Sequence, residues 1–175
     1  MDKSERDSLF TSKIIPHLDA AYNLARWLAR NEHDASDIVQ DSFERAYSYF
    51  NSFSGKDGKV WILAIVRNTF YTWYRKKLVR LNVEVSEEQF DESQLSEQTP
   101  ETELETNDKK QEVHAGINSL PIEFREIIIL RELESLSYKE IAETVQIPIG
   151  TVMSRLARGR EMLRAILVKQ LNGEV

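Results

Sequence analysis

The stretch Ser137-Tyr138-Lys139-Glu140-Ile141-Ala142-Glu143-Thr144-Val145-Gln146-Ile147-Pro148-Ile149-Gly150-Thr151-Val152-Met153-Ser154-Arg155-Leu156-Ala157-Arg158 reads as two helices with a tight break between them. Ser137 and Glu140 fit the S-x-x-E capping box, in which the two side chains reciprocally satisfy N–H groups at a helix start. Ile141, Ala142 and Val145 give that helix an apolar face. Gln146-Ile147-Pro148 interrupts it, because Pro offers no N–H and its ring clashes with the preceding turn. A longer helix then runs from about Ile149 or Gly150 through Lys169. A short capped helix, a break and a long basic helix predict a helix-turn-helix.

The long helix divides into faces. Thr151, Ser154, Arg155 and Arg158 recur at spacings of three and four and share one side. Val152, Leu156, Leu163 and Ile166 take another, and Gly159 lets a neighbour approach closely. The polar side offers hydroxyl and guanidinium groups at the start of a helix that fits a DNA major groove. Arg pairs bidentately with guanine there, and unpaired N–H groups of a helix start hold phosphate. An amphipathic surface helix with solvated arginines accounts for the same pattern. Upstream, a helix begins near Ser119-Leu120-Pro121 and buries Phe124, Ile127, Ile128 and Leu130.

Working toward the N-terminus, residues 81–112 read as a flexible linker. Between 81 and 106 stand nine acids (Glu84, Glu87, Glu88, Asp91, Glu92, Glu97, Glu101, Glu103 and Glu105) and no base. Phe90, Leu95 and Leu104 are isolated in it, too few to offset the entropy of ordering the stretch. The brief alternation Leu81-Asn82-Val83-Glu84-Val85 is too short to build a sheet. The linker divides a first domain, residues 1–80, from a second, residues 113–175. The expected fold is all-α: two small helical domains joined by an acidic linker.

In the first domain one helix covers roughly Ile15–Ala29, with Pro16 in its first turn and Leu18, Ala21, Tyr22, Ala25 and Leu28 on a stripe. The preceding Ser8–Lys13 adds at most a separate turn. A second helix begins at Asp34 as N-cap, with Asp37 near its positive end. Its stripe is Val39, Phe43, Ala46, Tyr47 and Phe50. A polar loop, Asn51–Lys59, carries Gly55 and Gly58. The third helix, about Val60–Val79, is apolar nearly all round and is expected at the centre, with Phe70 and Trp73 in the core. From Tyr71 to Arg80 it interleaves Tyr71, Trp73 and Tyr74 with Arg75, Lys76, Lys77 and Arg80, a pattern suited to stacking on single-stranded nucleic acid and equally to an amphipathic helix.

Charge and composition narrow the function classes. The chain of 175 residues has a net charge of −6, yet residues 59–80 carry Lys59, Arg67, Arg75, Lys76, Lys77 and Arg80 with no acid, and residues 149–169 carry five bases against Glu161. Two basic stretches around an acidic one suggest two polyanion-facing surfaces and a tether. There is no Cys, which removes disulfides, thiolate zinc sites and Cys nucleophiles. Three scattered histidines suggest no metal site, and no cofactor is expected. The longest apolar run, Val60–Val66, is far short of the roughly 20 residues of a membrane span. The start, Met-Asp-Lys-Ser-Glu-Arg, lacks the apolar region of a signal peptide. A cytoplasmic protein without membrane insertion is expected. Paired carboxylates at Asp34 and Asp37 have an enzyme reading, but no His or Lys constellation and no phosphate loop accompany them, so no catalytic residue is assigned.

In this order the segments resemble the sigma-70 family of bacterial RNA polymerase sigma factors, specifically the small extracytoplasmic-function group. Asp34-Ala35-Ser36-Asp37-Ile38-Val39-Gln40-Asp41-Ser42-Phe43 is similar to its polymerase-clamp helix, and Trp61-Ile62-Leu63-Ala64-Ile65-Val66-Arg67-Asn68 to its −10 promoter-reading helix. Leu120-Pro121, the capping-box helix and Ile147 through Leu156 resemble its −35-reading domain. The resemblance implies that Asp34, Asp37, Gln40, Asp41 and Glu44 face core RNA polymerase. It implies that the loop Asn51–Lys59, with Lys59, Trp61, Arg67 and Asn68, opens the −10 DNA and holds a flipped base. It implies that Thr151, Ser154, Arg155 and Arg158 read the −35 element while Lys139 touches phosphate. Promoter DNA, core polymerase and an anti-sigma protein are the implied partners. Many members carry a base where this chain has Met153, which can bond neither a base edge nor a phosphate. A free-standing helix-turn-helix regulator, a sigma mimic that sequesters an anti-sigma protein, and an enzyme are the alternatives.

Overall fold

The computed structural model describes residues 1–81 and 108–173, and the chain divides into two compact units. The acidic stretch 82–107, most of the expected linker and nearly all of the Leu81–Val85 alternation, lies outside the described residues. Among those described, every regular element is helical.

The first unit holds α1 (Lys3–Lys13), a 3₁₀ turn (Ile15–His17), α2 (Leu18–Ala29), α3 (Glu32–Ser48), a second 3₁₀ turn (Phe50–Ser52) and α4 (Gly58–Arg80). Helix α1 is a full helix where only a turn at Ser8–Lys13 was expected. Phe10 is its one fully buried residue, so apolar periodicity gave little sign of it. Pro16 lies in the 3₁₀ turn, and α2 proper begins two residues later. The α2 stripe is also corrected. Ala21, Leu24, Ala25, Trp27, Leu28 and Ala29 are buried, whereas Leu18 and Tyr22 stay 44% and 36% exposed. Asp34 is not the N-cap of α3. Asn31 is, its side-chain oxygen accepting the Asp34 N–H at 3.0 Å. Both residue types cap well, and the chain turns at the earlier one.

Helices α2, α3 and α4 pack on one another. Helix α4 buries Val60, Ile62, Leu63, Val66, Thr69, Phe70, Tyr74 and Leu78, each large apolar side chain contributing about 1.5–3 kcal/mol. The expectation of burial all round does not hold. Trp61, Ala64, Ile65 and Trp73 are half-buried and Asn68 is exposed, so α4 keeps an outer stripe. Phe70 and Tyr74 are the fully buried aromatics of its C-terminal half, and Trp73, expected in the core with Phe70, is only half-buried.

Helix α1 adds a polar and aromatic seam to α3. Arg6 Nη2 donates to the Tyr47 carbonyl, and its guanidinium lies over the Tyr47 ring at 4.6 Å. The Tyr47 hydroxyl donates to Asp7 Oδ1 at 2.6 Å, a bond that holds the phenol above its ordinary pKa because ionisation would break it.

The second unit holds α5 (Asp108–Asn118), α6 (Ile122–Ile128), a π-helical turn (Ile129–Leu133), α7 (Tyr138–Val145) and α8 (Ile149–Leu171). Helix α5 straddles the 112/113 boundary read from composition. A Cβ at its Gly116 would lie 3.0 Å from Leu163 Cδ1, so the glycine lets α5 lie close against α8. Gly159 does the same for α6, where a Cβ would stand 3.1 Å from Ile128 Cδ1. Ile127, Ile129, Leu130, Ile141, Val152 and Leu156 are buried. Leu163 and Ile166 are half-buried.

Candidate nucleic-acid and partner interfaces

Helix α7 begins at Ser137, whose Oγ accepts the Glu140 N–H at 3.1 Å while the Ser137 N–H donates to Glu140 Oε1 at 2.8 Å. It ends at Gln146, which adopts a left-handed conformation (φ 59°), and Pro148 caps α8. Ile147 alone separates the two caps, which makes the turn sharp and starts α8 at a fixed angle. Guanidinium–ring and ion-pair contacts brace the module. Arg131 lies over the Tyr138 ring at 4.8 Å, and Arg160 donates to Glu132 Oε1 from Nε at 3.0 Å and Nη2 at 2.5 Å. That carboxylate raises the Arg160 pKa further above its ordinary value.

On α8, Val152, Leu156 and Gly159 are buried, and Ser154 and Arg158 are exposed. Thr151 and Arg155 lie at the edge between the two faces. The Ser154 hydroxyl donates to the Thr151 carbonyl at 3.1 Å. Arg158 sits over the Phe124 ring at 5.6 Å. The Arg155 side chain makes no hydrogen bond or ion pair with another described residue. Lys139 is exposed in the first turn of α7. Met153 is 52% exposed and nothing lies within 4 Å of a Cβ at Gly150, so the start of α8 is open to a large partner.

In the first unit the candidate residues are tied into their surroundings. Trp61 packs against Phe53 at 5.1 Å and Phe50 at 6.2 Å between ring centroids, and those two stack at 5.6 Å. Phe53 was missed in the sequence, since only the path of the loop brings it over Trp61. Asp57 caps α4, accepting the Lys59 and Val60 N–H groups at 3.0 and 3.2 Å. The loop is thereby closed at its C-terminal end by local chemistry. Lys59 is half-buried. Arg67 lies over the Tyr71 ring at 4.6 Å. Asn68 is exposed two turns from Trp61, on the same outer stripe of α4. Lys77 lies over the Trp73 ring at 5.1 Å.

Helix α3 turns Ala35, Ile38, Val39, Ser42 and Ala46 inward. Asp37, Gln40 and Glu44 are exposed on the other side, with Asp34 and Asp41 at its margins. Asp37 pairs with His33 at 3.6 Å, Asp41 with Arg45 at 3.2 Å, and Gln40 donates to Glu44 at 3.3 Å. Asp34 is different, because its Oδ2 lies 3.9 Å from Lys77 Nζ on α4.

Among the described residues no helix is long and apolar enough to cross a membrane, and no His/Cys/Asp/Glu group is arranged to hold a metal ion.

Comparison with known proteins agrees with this geometry. Residues 14–78 match the model for Sigma-70 region 2, and residues 110–163 match that for Sigma-70, region 4. The chain is 34% identical over 153 residues to the ECF RNA polymerase sigma factor SigE of Mycolicibacterium smegmatis, covering 87% of this chain and 59% of that one. It is 35% identical over 147 residues to the ECF RNA polymerase sigma-E factor of Haemophilus influenzae, covering 80% and 77%. The fold is similar to the sigma factor RpoE in its co-crystal structure with the anti-sigma factor NepR from Bartonella quintana. There the TM-score is 0.71 at 30% identity, over 90% of this chain and 96% of that one. With both regions matched in order and relatives covered over most of their length, the chain belongs to the extracytoplasmic-function group of sigma-70 RNA polymerase sigma factors and is a promoter-directing sigma factor.

Proposed function

We propose that the chain binds core RNA polymerase through α3, recognises the −35 element with α8 and opens the −10 element with the 51–59 loop and the outer stripe of α4. The observation that carries this reading is the open start of α8, where Ser154, Arg155 and Arg158 project beside an unobstructed Gly150. Guanidinium forks there suit guanine edges, and the exposed first turn suits phosphate. Lys139 on α7 adds a phosphate contact. In the first unit, the Trp61–Phe53 pair and the Arg67–Tyr71 pair offer flat faces beside positive charge, which suit an unstacked base. Asp37, Gln40 and Glu44, with Asp34 and Asp41, form the polar face for the polymerase.

In this reading residues 1–80 and 113–175 are the two working halves, and 81–112 joins them. The protein is a specificity subunit, not an enzyme, since bond formation belongs to the polymerase. Its place of action is the cytoplasm, where polymerase and chromosome meet. An anti-sigma protein is a further partner, as NepR is for the structural relative.

The test is co-elution of the purified chain with core RNA polymerase, followed by transcription from a library of promoter fragments. Initiation at a shared −35/−10 pair is the expected result. Unaided, sequence-specific duplex binding without polymerase association overturns it in favour of a free-standing regulator.

A further inference from the structure

Helix α1 lies wholly outside the matched region 14–78, and the roles proposed for α3, α4 and α8 leave it without a task. Yet it touches both stems of the 51–57 loop. On the α3 side, the Phe10 ring meets Tyr47 and Phe50 edge-on, each at 5.3 Å between centroids. Phe50 in turn stacks on Phe53 and meets Trp61. Asp7 and Arg6 hold Tyr47 by its hydroxyl and carbonyl. On the α4 side, the last residue of α1 reaches Gly58, where a Cβ would stand only 2.1 Å from the Lys13 carbonyl oxygen. One helix therefore fixes where the loop leaves α3 and where it enters α4.

A loop that must insert between bases benefits from rigid stems, because a mobile loop spends its binding energy on its own ordering. We propose that α1 is a brace that positions the loop and Trp61 for opening promoter DNA, with Phe10 and the Asp7–Tyr47 bond as positioning residues that never touch DNA. This rests on the assignment of the loop and Trp61 to the −10 element. The cause is geometric: edge-on aromatic packing fixes ring orientation as well as separation, and the Asp7 bond fixes the turn of α3 from which Phe50 departs.

The experiment compares, for full-length protein with core polymerase, transcription from the selected promoter as duplex and from the same promoter with its −10 region already unpaired. Phe10→Ala is expected to reduce duplex transcription about tenfold, the scale set by removing two edge-on aromatic pairs. Tyr47→Phe, which removes only the hydroxyl, is expected to reduce it about threefold. Both should come within about twofold of wild type on the unpaired template, by the same arithmetic, and Phe10→Leu should recover part of the duplex loss. Helicity by circular dichroism identifies a variant that fails to fold, in which case Tyr47→Phe and Phe10→Leu decide. Equal losses on both templates, or no loss on duplex by a folded Phe10→Ala, overturn the brace. Trp61→Ala separates the two claims. If it shows no duplex-selective defect, the assignment of the loop fails. If it shows one and the Phe10 and Tyr47 variants do not, the brace alone fails.

Discussion

In residues 1–81, Trp61 leans on Phe50 and Phe53, Arg67 covers Tyr71, and Asp34 reaches Lys77. In residues 108–173, Ser154, Lys139 and Met153 stand exposed, and the Arg155 side chain has no hydrogen-bond or ion-pair partner among the described residues. The contrast suits the two tasks proposed for these regions. Reading base edges in an intact duplex requires only that side chains extend from a rigid helix, so the helix core and the reading face can be separate sets of residues. Holding an unpaired base requires a shaped surface, and shape comes from packing. Substitutions in the second unit should therefore separate function from stability, and substitutions in the first should mix them.

The largest separation is expected for Arg155→Ala combined with Arg158→Ala. Each bidentate arginine–guanine pair contributes about 1–3 kcal/mol of discrimination, so promoter output should fall about thirtyfold or more while co-elution with polymerase survives. The cost to stability should be small, because Arg158 over the Phe124 ring contributes about 0.5–1 kcal/mol at an exposed site. Output unchanged in a −35-dependent transcription assay removes α8 from base reading. A large fall in melting temperature breaks the separation itself.

Two glycines at helix starts sharpen the contrast in stability. Gly58→Ala places a carbon 2.1 Å from the Lys13 carbonyl, which is backbone and has no rotamer to turn away. The expected loss is about 1–3 kcal/mol, or roughly 4–8 °C in melting temperature for each kcal/mol in a unit of this size. Gly150→Ala meets nothing within 4 Å and should gain up to about 1 kcal/mol from helix propensity. Equal thermal shifts for the two variants would contradict the packing described for α1 and α4.

A smaller effect is expected at Ser137→Ala, which leaves the Glu140 N–H without its cap and costs about 1 kcal/mol. Ser137→Asp keeps an acceptor and should restore most of the melting temperature. If both variants match wild type, the cap contributes nothing and the turn is held by α8 packing alone.

What could be read from the sequence follows the range of the interaction. The box of Ser137 and Glu140 and the break at Gln146–Pro148 are decided within a few residues and stand as expected, as do buried Val152 and Leu156 on α8, whereas Thr151 and Arg155 fall at the edge of its polar side. The helical class was equally plain. Helices α1 and α5 were not, because each buries so little: Phe10 in one, Gly116 and Ile117 in the other. Neither makes a stripe, and both are held by partners distant in the chain. The cap of α3 was misplaced because Asn31 and Asp34 are both good caps, three residues apart. At the candidate sites the sequence offers residue types and spacings but not the neighbours that each side chain meets. Phe53 meets Trp61, and Lys77 meets Asp34, only through tertiary structure.

That last pair poses the finest test of the comparison. Asp34 belongs to the side of α3 proposed to face the polymerase, yet its carboxylate lies 3.9 Å from Lys77 Nζ, with the side chains of Asp34 and Lys77 25% and 29% exposed. Solvent screens such a pair to below about 1 kcal/mol, so Asp34→Asn should hardly change melting temperature. Affinity for core polymerase, measured for Asp34→Asn, Lys77→Gln and the double variant, decides which role its charge has. If Asp34 meets the polymerase directly, Asp34→Asn weakens binding by the same factor in either background. If it acts by fixing α3 against α4, Lys77→Gln alone reproduces the loss and the double variant is no worse. Asp37→Asn provides the reference, because Asp37 is 60% exposed and the side chain nearest its carboxylate, His33 at 3.6 Å, lies on its own helix. Any loss at Asp37 should therefore be independent of Lys77. A coupling between Asp37 and Lys77 as large as that between Asp34 and Lys77 would show that the polar face of α3 acts as a unit, and that the first unit ties even its exposed carboxylates to its core.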